Sequence, residues 1–389
     1  MNHVAQLVKD WGWWNRAYTR LLIRQRGYKL VSAAKVLPVA RSLKELSMLP
    51  QGGLFQLKER KNFSEFRPPL VALGDDAAYV CDYYKNEYAV QETRPFIAYF
   101  KNALLYGRQF SILDSQNRAF EECFTRDRRW RKGIPKRSEK LKPRKIPGTY
   151  KLACAESHNH FCHLFCDVLP RLELYEEVPA LDSLPYILPP TSYAFAEDAN
   201  QMMGLWNNGA IQWDDGCWQI EGLYFASSFK KFCSWTPESA TWIRRKLCPE
   251  IERKPLGNKL YYITRRNAFR PAQNEEEFLT ALQSWGLIVV EPDKLSLREQ
   301  ISLFSDARLI MGPHGAGIQN ALWAPKSCPI LELVSPRYFS GIYWTLAESL
   351  GNRYGLVTGH TPTKGEPTRI GTTFQFELIQ RALEQLLKD

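Results

Sequence analysis

Between Asn258 and Val357 the apolar positions alternate between two periods, every second residue in short runs and every third or fourth in longer ones. The pattern predicts a strand at Lys259–Thr264, a helix at Glu275–Trp285, a strand at Leu287–Val290 and a helix at Leu297–Phe304. A strand at Arg308–Met311 then leads through a glycine-rich turn into a helical stretch from about Gly317 to Trp323, and a strand follows at Pro329–Val334. Such alternation implies a parallel sheet with helices on both faces, and these Rossmann-like units bind ligands outside the carboxyl ends of their strands. The apolar stripe from Phe374 to Leu387 predicts one more amphipathic helix. Upstream, Val168–Leu188 and Tyr224–Leu247 mix helical and extended patterns, which carries the α/β expectation into the first half.

At the other end of the chain, Leu7, Trp11, Trp14, Tyr18, Leu21 and Leu22 form an apolar stripe, with Arg16, Arg20 and Arg24 on another face. This predicts a basic amphipathic helix that either packs on the protein's own core or lies among anionic headgroups. Charge sharpens the picture. The chain carries 52 Lys/Arg against 41 Asp/Glu, +11 overall, yet residues 1–150 hold 29 against 14 (+15) and the remainder 23 against 27 (−4). Attraction for anions is therefore concentrated in the first part. Eleven basic residues between Arg126 and Lys145, broken by Gly133, Pro135 and Pro143, read first as a solvated loop and second as a surface for anionic lipid or acceptor. Only Trp130 interleaves with them, so nucleic acid is not expected as a partner.

The length, 389 residues, suggests two or three domains, and no run approaches the roughly 18 apolar residues of a spanning helix. With no apolar signal block near the start, a cytoplasmic location is expected, peripheral on the inner face of the plasma membrane if the first helix is interfacial. Nine cysteines without a framework spacing predict reduced thiols.

Two stretches carry candidate chemistry. In Gly312-Pro313-His314-Gly315-Ala316-Gly317, small residues after a buried strand let backbone amides approach a diphosphate, and His314 adds a donor where charge develops. Arg265 and Arg266 follow the first strand of the same unit and can pair with phosphate oxygens. Glu332, in the next strand, could accept from ribose hydroxyls. The second stretch, His158 to Arg171, packs three histidines and two cysteines into nine residues. On a helix, His163 and Asp167 share a face, which suggests general-base chemistry; His158, His160, His163, Cys162 and Cys166 together are an alternative zinc centre.

The segment His163-Leu164-Phe165-Cys166-Asp167-Val168-Leu169-Pro170-Arg171-Leu172 resembles the His-x-x-x-Asp-x-Leu-Pro-Arg-Leu signature of family 61 glycosyltransferases. Tyr262-Ile263-Thr264-Arg265-Arg266, Asn274-Glu275, Glu299-Gln300, Phe304, Gly312 to Gly317, Asn320 and Glu332 are similar to that family's C-terminal half in order and spacing. The resemblance covers about residues 150–335. It implies a GT-B fold of two Rossmann-like domains facing a cleft, and inverting transfer from a nucleotide sugar with no obligatory metal or other cofactor. The chain then divides into a basic segment (1–60), an acceptor-side α/β domain (61–250) and a donor-binding domain with a terminal helix (251–389).

The same resemblance gives Arg265, Arg266, His314, Gly315, Ala316, Gly317, Asn320 and Glu332 to the donor, and His160 and Arg171 to the acceptor side. Asp167 and His163 become candidate bases, with Asp167 preferred because Arg171, one turn later, could hold it ionised. His160 stands where the family often has Asn, and Cys162 and Cys166 are further departures. The partners implied are a nucleotide-sugar donor, a glycan or lipid-linked glycan acceptor in bacterial capsule or surface polysaccharide synthesis, and an anionic membrane surface. The competing classes are a non-catalytic binder of nucleotide or acidic polysaccharide, and the zinc enzyme.

Overall fold

The computed structural model describes residues 24, 29–50, 52–61, 66–88, 92–107, 110–116, 118–120, 122, 141–153, 158–190, 193–230 and 232–388. The predicted helix at Leu7–Leu22 and the basic run from Arg126 to Lys140 lie outside them.

Two sheets organise the chain. The first is a mixed, ten-stranded sheet drawn from residues 29–226. Its centre is an antiparallel pair, Phe96–Tyr106 against Cys217–Ala226, flanked by Arg144–Leu152 running parallel to the latter. The second sheet is six-stranded and parallel throughout. Its strands are β1 (Val71–Leu73), β2 (Lys259–Ile263), β3 (Ile288–Val290), β4 (Ala307–Pro313), β5 (Ile330–Val334) and β6 (Tyr354–Thr358), in the order β3-β2-β4-β5-β6-β1.

Strands buried on both faces read as continuous apolar runs, and here β4 and β5 divide theirs by alternation. Leu309, Met311, Leu331 and Leu333 face a cluster closed by the terminal helix Phe376–Leu386, whereas Ile310, Ile330 and Val334 face the core shared with the first sheet. That shared core holds Phe165, Trp235, Trp323 and Trp344, so apolar packing from both halves is continuous. Phe165 and Trp323 meet edge-on at 5.3 Å.

The strands and helices expected between 258 and 334 are present within one or two residues of their predicted ends, although Glu275–Ala281 stops before a separate 3-10 turn at Gln283–Trp285, and Ala316–Trp323 is 3-10 throughout. One strand crosses the expected division of the chain: β1, inside the span 61–250, pairs with β6 through Gly355↔Val71, Leu356↔Ala72 and Val357↔Leu73. Three residues give no periodicity to read, so only pairing reveals them. No disulfide joins the seven described cysteines, and no described helix is long and apolar enough to cross a membrane.

Candidate functional site

The stretch singled out from sequence folds as one helical segment of changing pitch. Phe161–His163 is α-helical, Leu164–Val168 widens to a π-turn, and Leu169–Leu172 tightens to 3-10 where Pro170 removes a donor. Single π-turns inside helices recur at functional sites. Here the turn holds Asp167, which is 4% exposed, beside His163 at 8%.

Three donors converge on the Asp167 carboxylate. His163 Nδ1 is 2.8 Å from Oδ2, while Lys230 Nζ (3.1 Å) and the Cys233 backbone N–H (3.0 Å) donate to Oδ1. Burial alone would raise the Asp167 carboxyl, but Lys230 and then His163 outweigh it and hold it well below the ordinary carboxylate range. Lys230 loses stability of its charge to burial and regains more from Asp167, so its ammonium is held above the usual lysine value.

The partner expected from sequence was Arg171. Its Nε instead donates to the Asp167 backbone carbonyl at 3.1 Å, and the cation on the carboxylate comes from 63 residues away. The helical offset of four does bring Arg171 to Asp167, but its guanidinium meets the main-chain carbonyl rather than the carboxylate. His163 stacks on Phe232 (4.9 Å, 13° between planes), and the His160 ring lies 4.7 Å away.

The predicted zinc cluster does not assemble. Cys162 Sγ approaches Gln319 Oε1 at 3.4 Å, Cys166 lies in the apolar core 3.9 Å from Lys230 Nζ, and His158 packs edge-on against Phe110. Among the described residues, the metal-capable atoms that converge are those of His163, Asp167 and Cys233.

The second stretch lies where the parallel-sheet rule places it. β2, β3 and β4 end at a cleft of about 480 Å³ whose far wall is Phe161, Tyr193 and Phe195 from the first half. Arg265, Arg266, Ala316, Gly317 and Asn320 line the near side, with Glu291 and Asp293 from the end of β3. Tyr193 and Phe195 stack at 5.6 Å and Phe161 meets Phe195 edge-on at 5.3 Å, an aromatic wall of the kind a base or sugar ring packs against. Burial and then the neighbouring Arg270 disfavour the Arg265 charge, so this guanidinium gains from an anion. It lies so close to Gly315 that a Cβ there would overlap it.

Tyr343 ties the two stretches together: its hydroxyl donates to the Gly315 carbonyl at 2.6 Å and lies 3.8 Å from Cys162 Sγ, next to His163. Asn320 Nδ2 donates to the Gly317 carbonyl at 3.1 Å, which fixes the amide with Oδ1 buried and unpaired among the described residues.

Two expectations for this stretch change. Glu332 does not face the cleft. It is fully buried, because the alternation of β5 turns it with Ile330 and Val334 into the shared core, where His314 Nδ1 and the Tyr354 hydroxyl take its two oxygens. His314 sits edge-on to Tyr338 and Tyr343, oriented by Glu332. Arg266 is committed to the 5% exposed Glu275 through two 2.9 Å contacts, and Glu275 also accepts from Tyr262 and Thr264. Arg266 is thus paired with the side chain of the first residue of Glu275–Ala281.

Gly315→Ala is expected to leave the fold intact, because the overlapping atoms are the end of a long side chain, and to displace Arg265 from the cleft. Loss of one charge-assisted contact predicts roughly tenfold weaker binding of a nucleoside diphosphate by calorimetry. Unchanged affinity would remove Arg265 from the ligand site.

With this geometry in place, comparison with known proteins is informative. The family model described as Glycosyltransferase 61 matches residues 161–331. Over those residues the chain is similar to the glycosyltransferase 61 family. The matched segment begins at the helix carrying His163 and Asp167 and ends in β5, one residue before Glu332, so both stretches fall within it or at its edge. An EGF domain-specific O-linked N-acetylglucosamine transferase of Drosophila melanogaster is 28% identical over 159 residues, covering 36% of this chain and 30% of that protein. The match thus spans less than a third of that relative's length.

Lys230, Cys233, Arg270, Tyr343, Glu291 and the aromatic wall carry no local signal in the sequence. Lys230 stands in Lys230-Lys231-Phe232-Cys233, which reads as a solvated pair of lysines before the fold is known.

Proposed function

We propose that this protein is an inverting glycosyltransferase, moving a sugar from a nucleotide-sugar donor to a hydroxyl of a glycan acceptor. The observation that carries this reading is the Asp167-anchored His163, on a helical turn that packs on Ala316–Trp323 just after the glycine-rich end of β4, inside the matched segment. In this account the two sheets face each other in the GT-B manner, the second holding the donor. The nucleoside lies along Phe195 in the cleft, and the diphosphate takes Arg265 and the backbone amides from Gly315 to Gly317.

His163 is the base and Asp167 its anchor, rather than the reverse. A carboxylate already accepting three hydrogen bonds and held below its ordinary range is a weak proton acceptor, whereas a histidine engaged at Nδ1 is fixed in the tautomer whose Nε2 accepts a proton. As the acceptor oxygen bonds to the anomeric carbon, its proton passes to Nε2. The bond from that carbon to the diphosphate oxygen breaks, and the electron pair leaves with the diphosphate. Arginine and amides supply the stabilisation of that leaving group, so no metal is required. A bacterial capsule or surface glycan, lipid-linked at an anionic membrane that attracts residues 1–60, fits the charge imbalance. The relative's name makes N-acetylglucosamine the first sugar to try.

A melting screen against UDP, GDP, CMP, ADP and dTDP tests the donor site. One nucleotide at a hundred times its Kd adds about 2.7 kcal/mol, and the rise should be indifferent to EDTA and absent in Arg265→Ala. No shift with any nucleotide would contradict the assignment.

A further inference from the structure

We propose that His163, Asp167 and Cys233 form a binding site for a divalent cation of borderline softness, with Zn²⁺ as its type, and that filling it switches the transfer chemistry off. The three ligand atoms, Nδ1, a carboxylate oxygen and Sγ, all lie within 4.8 Å of one another. Tetrahedral zinc, with bonds of about 2.3 Å to sulfur and about 2.0 Å to nitrogen, separates those two ligands by about 3.5 Å. Cys233 Sγ and His163 Nδ1 are 3.7 Å apart. The His163–Asp167 contact of 2.8 Å has only to open by about half an ångström to take an ion between the two atoms.

The thiol is held at this spot by its backbone. The Cys233 N–H is pinned to Asp167 Oδ1 at 3.0 Å, and its φ of 56° is a left-handed conformation that residues other than glycine seldom adopt. Strained backbone of this kind persists where the surroundings over-determine it, and it clusters at functional sites. Cys233 is partly exposed, which gives an ion a path from solvent.

The charges favour reversible occupancy over a permanent structural metal. Asp167 and the thiolate left when Cys233 gives its proton to solvent supply two negative charges. Lys230 remains on Oδ1 and offsets one of them. A cation on Nδ1 and Oδ2 replaces the hydrogen bond that fixes the His163 tautomer. The inhibitory half of the inference therefore rests on His163 being the base, while the binding half rests on geometry alone.

The test uses the full chain. Co²⁺ is titrated into purified protein and its thiolate-to-cobalt charge-transfer absorption is followed in wild type, Cys233→Ser and Cys81→Ser. In parallel, Zn²⁺ inhibition of nucleotide-sugar turnover is measured against each variant's own zinc-free rate. The expected result is one Co²⁺ per chain, a thiolate band lost in Cys233→Ser and kept in Cys81→Ser, and at least a tenfold higher Zn²⁺ concentration for half-inhibition of Cys233→Ser. Absence of the band, or its survival in Cys233→Ser, would overturn the site. A Cys233-dependent band with turnover unaffected by Zn²⁺ would keep the site and overturn the inhibition, and with it the role of His163.

Discussion

Replacing His163 with glutamine is expected to lower the rate of sugar transfer by roughly 10²- to 10⁴-fold, the range that a positioned general base contributes. The substitution separates the two candidate bases. Glutamine can still hydrogen-bond the Asp167 carboxylate, and Lys230 and the Cys233 N–H remain on its other oxygen, so the buried charge keeps its partners. The fold should therefore hold, with melting within a few degrees of wild type, and the donor KM should stay within about threefold because the donor groups lie on the other stretch. If Asp167 were the base, His163→Gln would retain activity within about tenfold. Steady-state kinetics on His163→Gln decide between them.

Lys230→Met is expected to be the most destabilising single change around the site. The Lys230 and Asp167 side chains are 2% and 3% exposed, and removing one member of a buried pair leaves the other charge uncompensated, at a cost of about 3–5 kcal/mol. At an unfolding entropy of about 2.1 cal/mol/K per residue, a chain of this length loses about 1.2 °C per kcal/mol, so the melting temperature should fall by roughly 4–6 °C. Adding Asp167→Asn to Lys230→Met should recover part of that loss, because the stranded charge goes with it; a double mutant as unstable as the sum of the singles would exclude the coupling.

The pair also sets a pH dependence. The Asp167 carboxyl is depressed in the folded chain, so its contribution is present above the unfolded value of about 4 and drains away as pH falls toward the folded one. The Lys230 ammonium is raised, so its contribution is complete below about pH 10 and disappears only as pH rises through the folded value. Wild type should hold this stability between about pH 5 and 9 and lose it in acid, with a shallower acid limb in Lys230→Met. Identical acid limbs would mean that Lys230 does not hold the carboxylate.

What was legible in the sequence followed from locality. β2 to β5 and their helices repeat at periods that adjacent residues reveal, and the placement of Arg265 and Gly317 at one edge follows from parallel topology alone. The pairing of His163 with Asp167 is an offset of four on a helical segment. The failures share a cause: they depend on contacts far apart in sequence or on which face a residue takes. β1 joins the second sheet from nearly three hundred residues away, and Lys230 reaches Asp167 across 63. Glu332 was misplaced because a carboxylate in a strand suggests a ligand, whereas the strand's alternation, Ile330 and Val334 on the same side, already turns it into the core. Arg171 was misassigned because the offset of four that brings it to Asp167 does not decide whether its guanidinium meets the carboxylate or the main-chain carbonyl.

The cleft at the ends of β2, β3 and β4 is expected to hold a nucleotide sugar whose bond to the diphosphate is broken without a metal. The most direct measurement is nucleoside diphosphate release from a panel of nucleotide sugars, UDP-N-acetylglucosamine first, in EDTA, by wild type and His163→Gln. Release by wild type from one donor, faster with an acceptor glycan and nearly abolished in His163→Gln, is the predicted result. No release from any donor in EDTA, with activity appearing only when a divalent cation is added, would contradict it.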